Sequence, residues 1–173
     1  MSIKISTLLG KVQSLPNKQN ISTIMDFYSY MQEEGSSENH KINNLKVIID
    51  FAKYLGQKSF HDISRKEQIL SYLNGKVKDP LLDPDKRWIT TWNHYLNRIK
   101  LFFRWIYNYH LKRQCQVSII EERNNWSTPD FVKIKQKPSK RVSPYLETEI
   151  WERDELLTIV KCDLRSGQPV LSF

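Results

Sequence analysis

The chain has 173 residues, with 27 Lys and Arg against 19 Asp and Glu and a formal charge of +8. That leaves room for one domain of ordinary size plus an appendage, and 39% hydrophobic residues, 12% of the chain being aromatic, can build a core. No apolar run approaches the roughly 18 residues of a membrane span, no signal peptide is expected before the domain, and Cys115 and Cys162 lie too far apart to suggest a disulfide framework or a zinc site.

In chain order, residues 1–19 form a weakly specified extension, in which Leu8, Leu9 and Val12 suit a short amphipathic turn ended by Pro16. A first helix is expected from Asn20, a candidate N-cap, with Ile21, Ile24, Tyr28 and Met31 on one face and Met25 and Phe27 beside it. Gly35 suits the position just past its end, where a left-handed backbone is needed. A second helix runs from about Glu38 to Leu55. Its apolar side is Ile42, Leu45, Ile48, Ile49, Ala52 and Leu55, its outer side is His40, Asn43, Lys46, Asp50 and Lys53, and Gly56 stops it. Ser64 and Glu67 have capping-box spacing and open a third helix over 65–74, which contributes Ile69, Leu70 and Leu73. Pro80 and Pro84 make 78–85 a loop, and Asp85 can cap a long fourth helix.

That fourth helix, Arg87 to Arg113, organises the chain. Ile89, Trp92, Leu96, Ile99, Phe103 and Ile106 recur at three- and four-residue steps, and Tyr95 and Phe102 widen the stripe. Arg87, Thr91, His94 and Arg98 lie on the opposite side and offer cations, a hydroxyl and an imidazole. Four helices with short or Pro-containing loops and no convincing strand period predict an all-α bundle.

Beyond the helix, residues 114–151 read as a linker with Pro129, Pro138 and Pro144 and no sustained period. Its stretch 131–141 carries Lys133, Lys135, Lys137, Lys140 and Arg141 and no acid. A short helix over 152–161 comes next, with Leu156, Leu157 and Val160 apolar and no helix after it to cover them.

Three stretches carry a resemblance. Asn44 to Gly56 resembles the second core-binding helix of the tyrosine recombinases of the phage-integrase type, most of all their archaeal members. Asp62 to Leu73 resembles the third helix, D-I-x-x-x-x-I-x-x-[FY]-L. Thr91 to Trp105, with Arg98-Ile99-Lys100-Leu101-Phe102-Phe103-Arg104-Trp105, resembles the fourth, LRxFFRWL. The likeness spans roughly residues 20–162.

It implies a SAM-like core-binding domain over 20–113 whose second and fourth helices face the major groove of double-stranded DNA, followed by the basic linker and, over 152–173, the truncated start of a catalytic domain. Carried over position by position, the DNA-binding residues would be His40, Asn43 and Lys46, then Arg87, Thr91, His94 and Arg98, then Lys133, Lys135, Lys137, Lys140 and Arg141 of the linker. Other recombinase protomers on the same DNA would be the further partners.

The family's catalytic arginines, lysine, His or Trp and tyrosine nucleophile belong to the domain that this sequence lacks, so binding without strand cleavage is expected. His110-Leu111-Lys112-Arg113 fits the family's HxxR pattern but closes a helix, where cations complement the dipole. Only Tyr145 lies beyond it as a candidate nucleophile. No cofactor, metal, membrane or small-molecule substrate is expected, and the cytoplasm is the expected location. The alternatives are a stand-alone SAM-like protein-interaction module and a decoy that blocks an intact recombinase.

Overall fold

The computed structural model describes residues 4–79, 81–83, 86–110 and 125–138. The chain divides into Met1–Ser139 and Lys140–Phe173, and every described residue belongs to the first part. The expected helix at 152–161, Lys140, Arg141, Tyr145 and the linker residues 114–124 lie outside the described residues. Those described are all-α: α1 (Ile5–Gln13), α2 (Lys18–Glu33), α3 (Glu38–Leu55), α4 (Lys66–Asn74) and α5 (Trp88–Trp105), with 3-10 turns at Phe60–Asp62 and Asp130–Val132. None of these helices is long and apolar enough to cross a membrane.

The bundle thus has a helix more than the four expected. Residues 5–13 are an integral element and not an extension, because Leu8, Val12 and Leu15 are buried in the common core. Helix α2 starts earlier than expected. Asn17 is its cap, accepting from the Asn20 amide at 3.0 Å. Asn20 does something else: it is buried, donates to the Lys58 carbonyl and accepts from the Phe60 amide, both at 2.9 Å. A polar side chain inside a core must find partners, and here it ties α2 to the loop after α3. Gly35, at φ +63°, ends α2 as expected, with Ser36 N–H reaching Met31 O and Gly35 N–H reaching Gln32 O, both at 3.0 Å.

Helix α3 has the expected bounds, with Ser37 as cap and Gly56 at φ +62° as its stop. It is buried on more sides than an amphipathic helix needs, since Asn44, Val47 and Phe51 join the expected apolar residues. Asp50, expected on the outer side, bridges to α4: Tyr72 Oη and Lys76 Nζ donate to it at 2.7 and 2.6 Å. Burial works to raise the Asp50 pKa, but those two donors and the nearby lysine charges outweigh it and hold the carboxyl below its usual value.

Helix α4 opens one residue later than the Ser64–Glu67 spacing suggests. The side chain that reaches back is Gln68, whose Oε1 accepts from the Arg65 and Ser64 amides at 3.0 and 3.2 Å. At the start of α5 the carboxylate of Asp83 accepts from the amides of Arg87 and Trp88 at 3.1 and 2.9 Å, whereas Asp85 lies outside the described residues. Trp92, Leu96, Ile99, Phe102, Phe103 and Trp105 of α5 are buried, and Phe102 meets Phe27 and Phe60 edge-on at 5.1 and 4.8 Å between ring centres. The helix widens to a π-helical turn over Ile106–His110.

The largest departure is at 125–138. This stretch of the expected linker packs against the bundle as an extended strap, with Trp126, Val132 and Ile134 in the same core as the helices.

Candidate nucleic-acid interface

Helix α5 presents two polar stripes besides its apolar one. The first is Asn93, Asn97, Lys100, Arg104 and Asn108, at spacings of four, three, four and four residues. Each of these side chains holds the strap. Asn108 donates to the Ser127 carbonyl at 2.8 Å and accepts from the Ser127 amide at 3.1 Å, and Arg104 Nη2 donates to the Trp126 carbonyl at 2.9 Å. Lys100 Nζ donates to the Ile134 carbonyl at 2.6 Å, and Gln136 Nε2 donates to Asn97 Oδ1 at 2.7 Å. Asn93 and Lys137 exchange two bonds, at 2.7 and 2.9 Å. The strap therefore runs antiparallel to α5, from its C-terminal end at Ser127 towards its N-terminal end at Lys137. Partial burial lowers the pKa of Lys100 by disfavouring its charged form.

The second stripe is the one expected to read DNA. Arg87, Thr91 and His94 are exposed, and Arg98 is half-buried. The Arg98 guanidinium reaches back to α3, where Nη1 lies 3.4 Å from His40 Nδ1 and 3.5 Å from Asn44 Oδ1. In this contact the guanidinium can only donate, so His40 Nδ1 is the accepting side. Asn44 is fully buried and also donates from Nδ2 to the His40 carbonyl at 2.9 Å. It is absent from the expected site residues, yet it lies one helical turn after His40, a spacing that could have flagged it. Burial lowers the pKa of Arg98, and the pKa of His94 is lowered by burial first and then by the charge of Arg98.

The expected residues separate by what they touch. Arg98 and His40, 58 positions apart in sequence, are brought together. Lys46 is exposed and Asn43 half-buried further along α3, and no bond among the described residues joins either to α5. On the strap, Lys133 is exposed but paired with Asp130 at 2.7 Å, and Lys135 is exposed. Lys137 is half-buried, its ammonium 4.7 Å from the ring centre of Trp88 and 5.1 Å from that of Trp92.

His110, from the HxxR match, is buried with its ring 4.8 Å from that of Trp105 and its Nδ1 3.7 Å from Asp26. Burial holds its pKa down, the Asp26 carboxylate pulls the other way, and His61 adds to the lowering. Arg113 lies outside the described residues. A cleft of about 410 Å³ at His110 is lined by Asp26, Glu33, Tyr30, Trp105 and Tyr109 among others. Its two carboxylates make it a poor receiver of phosphate.

No protein-family model, curated protein or solved structure matches this chain.

Proposed function

We propose that this chain is the DNA-binding, core-binding part of a site-specific tyrosine recombinase of the integrase type, a SAM-like bundle that holds duplex DNA without cutting it. The observation that carries this reading is the junction of Arg98 with His40 and Asn44. It joins the polar sides of α3 and α5 into one face, with Arg87, Thr91 and His94 exposed beside it. Two helices that share a cationic and hydrogen-bonding face suit a duplex, because phosphate contacts set the register and amide, imidazole and guanidinium groups can address base edges. The strap supports the same reading. It carries Lys135 outward and ends at the N-terminal end of α5, on the way to Lys140 and Arg141 in the sequence.

In this reading Arg98 and Arg87 pair with phosphate or the O6 and N7 of guanine, Thr91, His94, His40 and Asn43 meet bases or sugar-phosphate, and Lys46, Lys133, Lys135, Lys140 and Arg141 meet phosphates, while Lys137 holds the strap end on Trp88 and Trp92. Strand exchange would belong to a catalytic domain and to other protomers on the same DNA. The test is binding of the purified chain to random and defined duplexes across a salt series, together with incubation on supercoiled plasmid. With about 5–8 phosphate contacts, the slope of log K against log salt is about −4.5 to −7, and the plasmid stays intact. Absence of duplex binding by folded protein at low salt overturns the proposal. A protein–DNA adduct that disappears in Tyr145→Phe overturns the non-cutting part.

A further inference from the structure

The cleft at His110 is formed by α2 and the π-helical end of α5. Its volume of about 410 Å³ falls in the range of small-molecule sites. None of its described lining residues belongs to the stripe from Arg87 to Arg98. Single π-helical turns recur at functional sites, and the one at Ile106–His110 brings Tyr109 and His110 to this cleft.

The charge of the cleft is one-sided. In a chain of formal charge +8, its described lining includes Asp26 and Glu33 and neither Lys nor Arg. Both acids are exposed residues, so both carboxylates remain open to a ligand. Asp26 Oδ2 lies 3.7 Å from His110 Nδ1, beyond hydrogen-bond distance. Burial is the largest influence on His110 and lowers its pKa, so at neutral pH the imidazole adds no positive charge.

The spacing of the two acids chooses the ligand. Asp26 and Glu33 are seven positions apart on α2, which puts them on one side of the helix and about 10 Å apart along its axis. Tyr30 lies between them on that side. Its ring centre is 4.8 Å from that of Tyr109 and 6.0 Å from that of Trp105. The result is an aromatic surface with a carboxylate at either end. Ring faces attract ammonium groups and also take up the methylenes attached to them. One small cation would have to draw both acids over Tyr30, whereas a chain with an ammonium at each end meets each acid in place.

We propose that this cleft binds a linear aliphatic amine with two or more ammonium groups, one on Asp26 and another on Glu33, its methylenes lying along Tyr30, Trp105 and Tyr109. The inference does not rest on the DNA-binding reading above. A ligand held by both α2 and the π-helical turn stabilises the folded chain in proportion to its occupancy, so binding is visible as a concentration-dependent rise in melting temperature.

The experiment is calorimetric titration and thermal melting of the full chain, without DNA, in spermidine, putrescine, butylamine and magnesium chloride at matched ionic strength. The parent is compared with Asp26→Asn/Glu33→Gln and with Glu33→Gln alone. Spermidine and putrescine are expected to bind one per chain and to raise the melting temperature, butylamine to bind more weakly, and magnesium to leave the melt unchanged. The double variant should melt like the parent without ligand and bind spermidine about tenfold more weakly, the loss of two exposed charge pairs. Glu33→Gln alone should weaken binding about two- to fivefold, and it carries the test if the double variant unfolds. Equal affinity of parent and variants for spermidine overturns the proposal, and so does absence of binding to the folded parent. Butylamine or magnesium as effective as spermidine overturns it by reducing the cleft to an acidic patch. Tighter, carboxylate-dependent binding of a lysine-rich peptide overturns the free amine in favour of a protein partner.

Discussion

The two polar stripes of α5 are alike in sequence and opposite in use. One, Asn93 to Asn108, is closed off by the strap, and each of its side chains meets a backbone or side-chain partner there. The other, Arg87 to Arg98, meets α3 at Arg98, and its Thr91 and His94 are exposed. A polar helix face is therefore not by itself a ligand face. What separates the two is how fully another part of the chain satisfies the donors and acceptors: short bonds to the strap on one stripe, and on the other the contacts of 3.4 and 3.5 Å that Arg98 makes to α3.

The comparison breaks first at the strap. If residues 125–138 were a solvated linker, truncating Trp126 would cost nothing. Buried against Tyr30 and Tyr109, at 5.9 and 6.2 Å between ring centres, it is a core residue. Trp126→Ala is expected to destabilise the fold by about 3–5 kcal/mol in urea unfolding. A change below about 0.5 kcal/mol would return the strap to the status of a tail.

The open stripe gives the reverse pattern. Arg98→Ala removes no core atoms and weak, long hydrogen bonds, so its melting temperature should stay near that of the parent. Its affinity for duplex DNA should fall by about 1–3 kcal/mol if a base contact is lost, with preference relaxed at one position. Loss of a phosphate contact instead weakens all sequences alike. A large fall in melting temperature with binding unchanged would mean that Arg98 serves α3 and not a ligand.

These two cases also show what was legible. The apolar spacing of 89–106, the Gly35 and Gly56 stops and the bounds of α3 could be read because they depend on local backbone and one-sided burial. Helix α1 escaped because Leu8, Val12 and Leu15 are too few to declare a helix without the core they enter. The strap escaped because Pro129, Pro138 and a run of lysines look like a linker. Yet Val132-Lys133-Ile134-Lys135 alternates apolar and cationic residues, the pattern of an extended segment with one face buried. The Asn, Asn, Lys, Arg, Asn ladder on α5 was its complement and was equally visible. On the site, Arg98 could be placed on a polar face from spacing alone. Its partner Asn44 lies one turn after His40, which the spacing showed, but its burial is decided by tertiary packing.

Within the strap itself, Lys135 and Lys137 sharpen the contrast by a smaller margin. Lys135 is exposed, whereas the Lys137 ammonium rests on two indoles. Lys135→Ala should flatten the salt slope by about 0.9, the contribution of one phosphate contact. Lys137→Ala should leave the slope nearly unchanged and instead lower stability by about 0.5–1 kcal/mol, the scale of an exposed cation–π contact. The opposite assignment would show that Lys137 leaves Trp88 and Trp92 to meet DNA.

The smallest effect divides the two histidines of the helix that carries both stripes. His94 stands on the open stripe, and His110 is buried at the π-helical end beside Trp105. Burial is the first cause of a lowered pKa in both, so in each the folded chain refuses a proton that the unfolded chain accepts. For such a group, stability is present above the ordinary histidine value of 6.5 and is lost as the pH falls from there towards the lower folded value. The loss should be larger for His110, because His94 is exposed and solvent screens its charge. Unfolding free energies between about pH 6.5 and 5 should therefore slope downward on acidification in the parent. The slope should be clearly flatter in His110→Gln and little changed in His94→Gln. Flattening in His94→Gln alone would place the buried imidazole on the wrong stripe. It would also remove the argument that the π-helical end belongs to the core while the N-terminal half of α5 remains open to a partner.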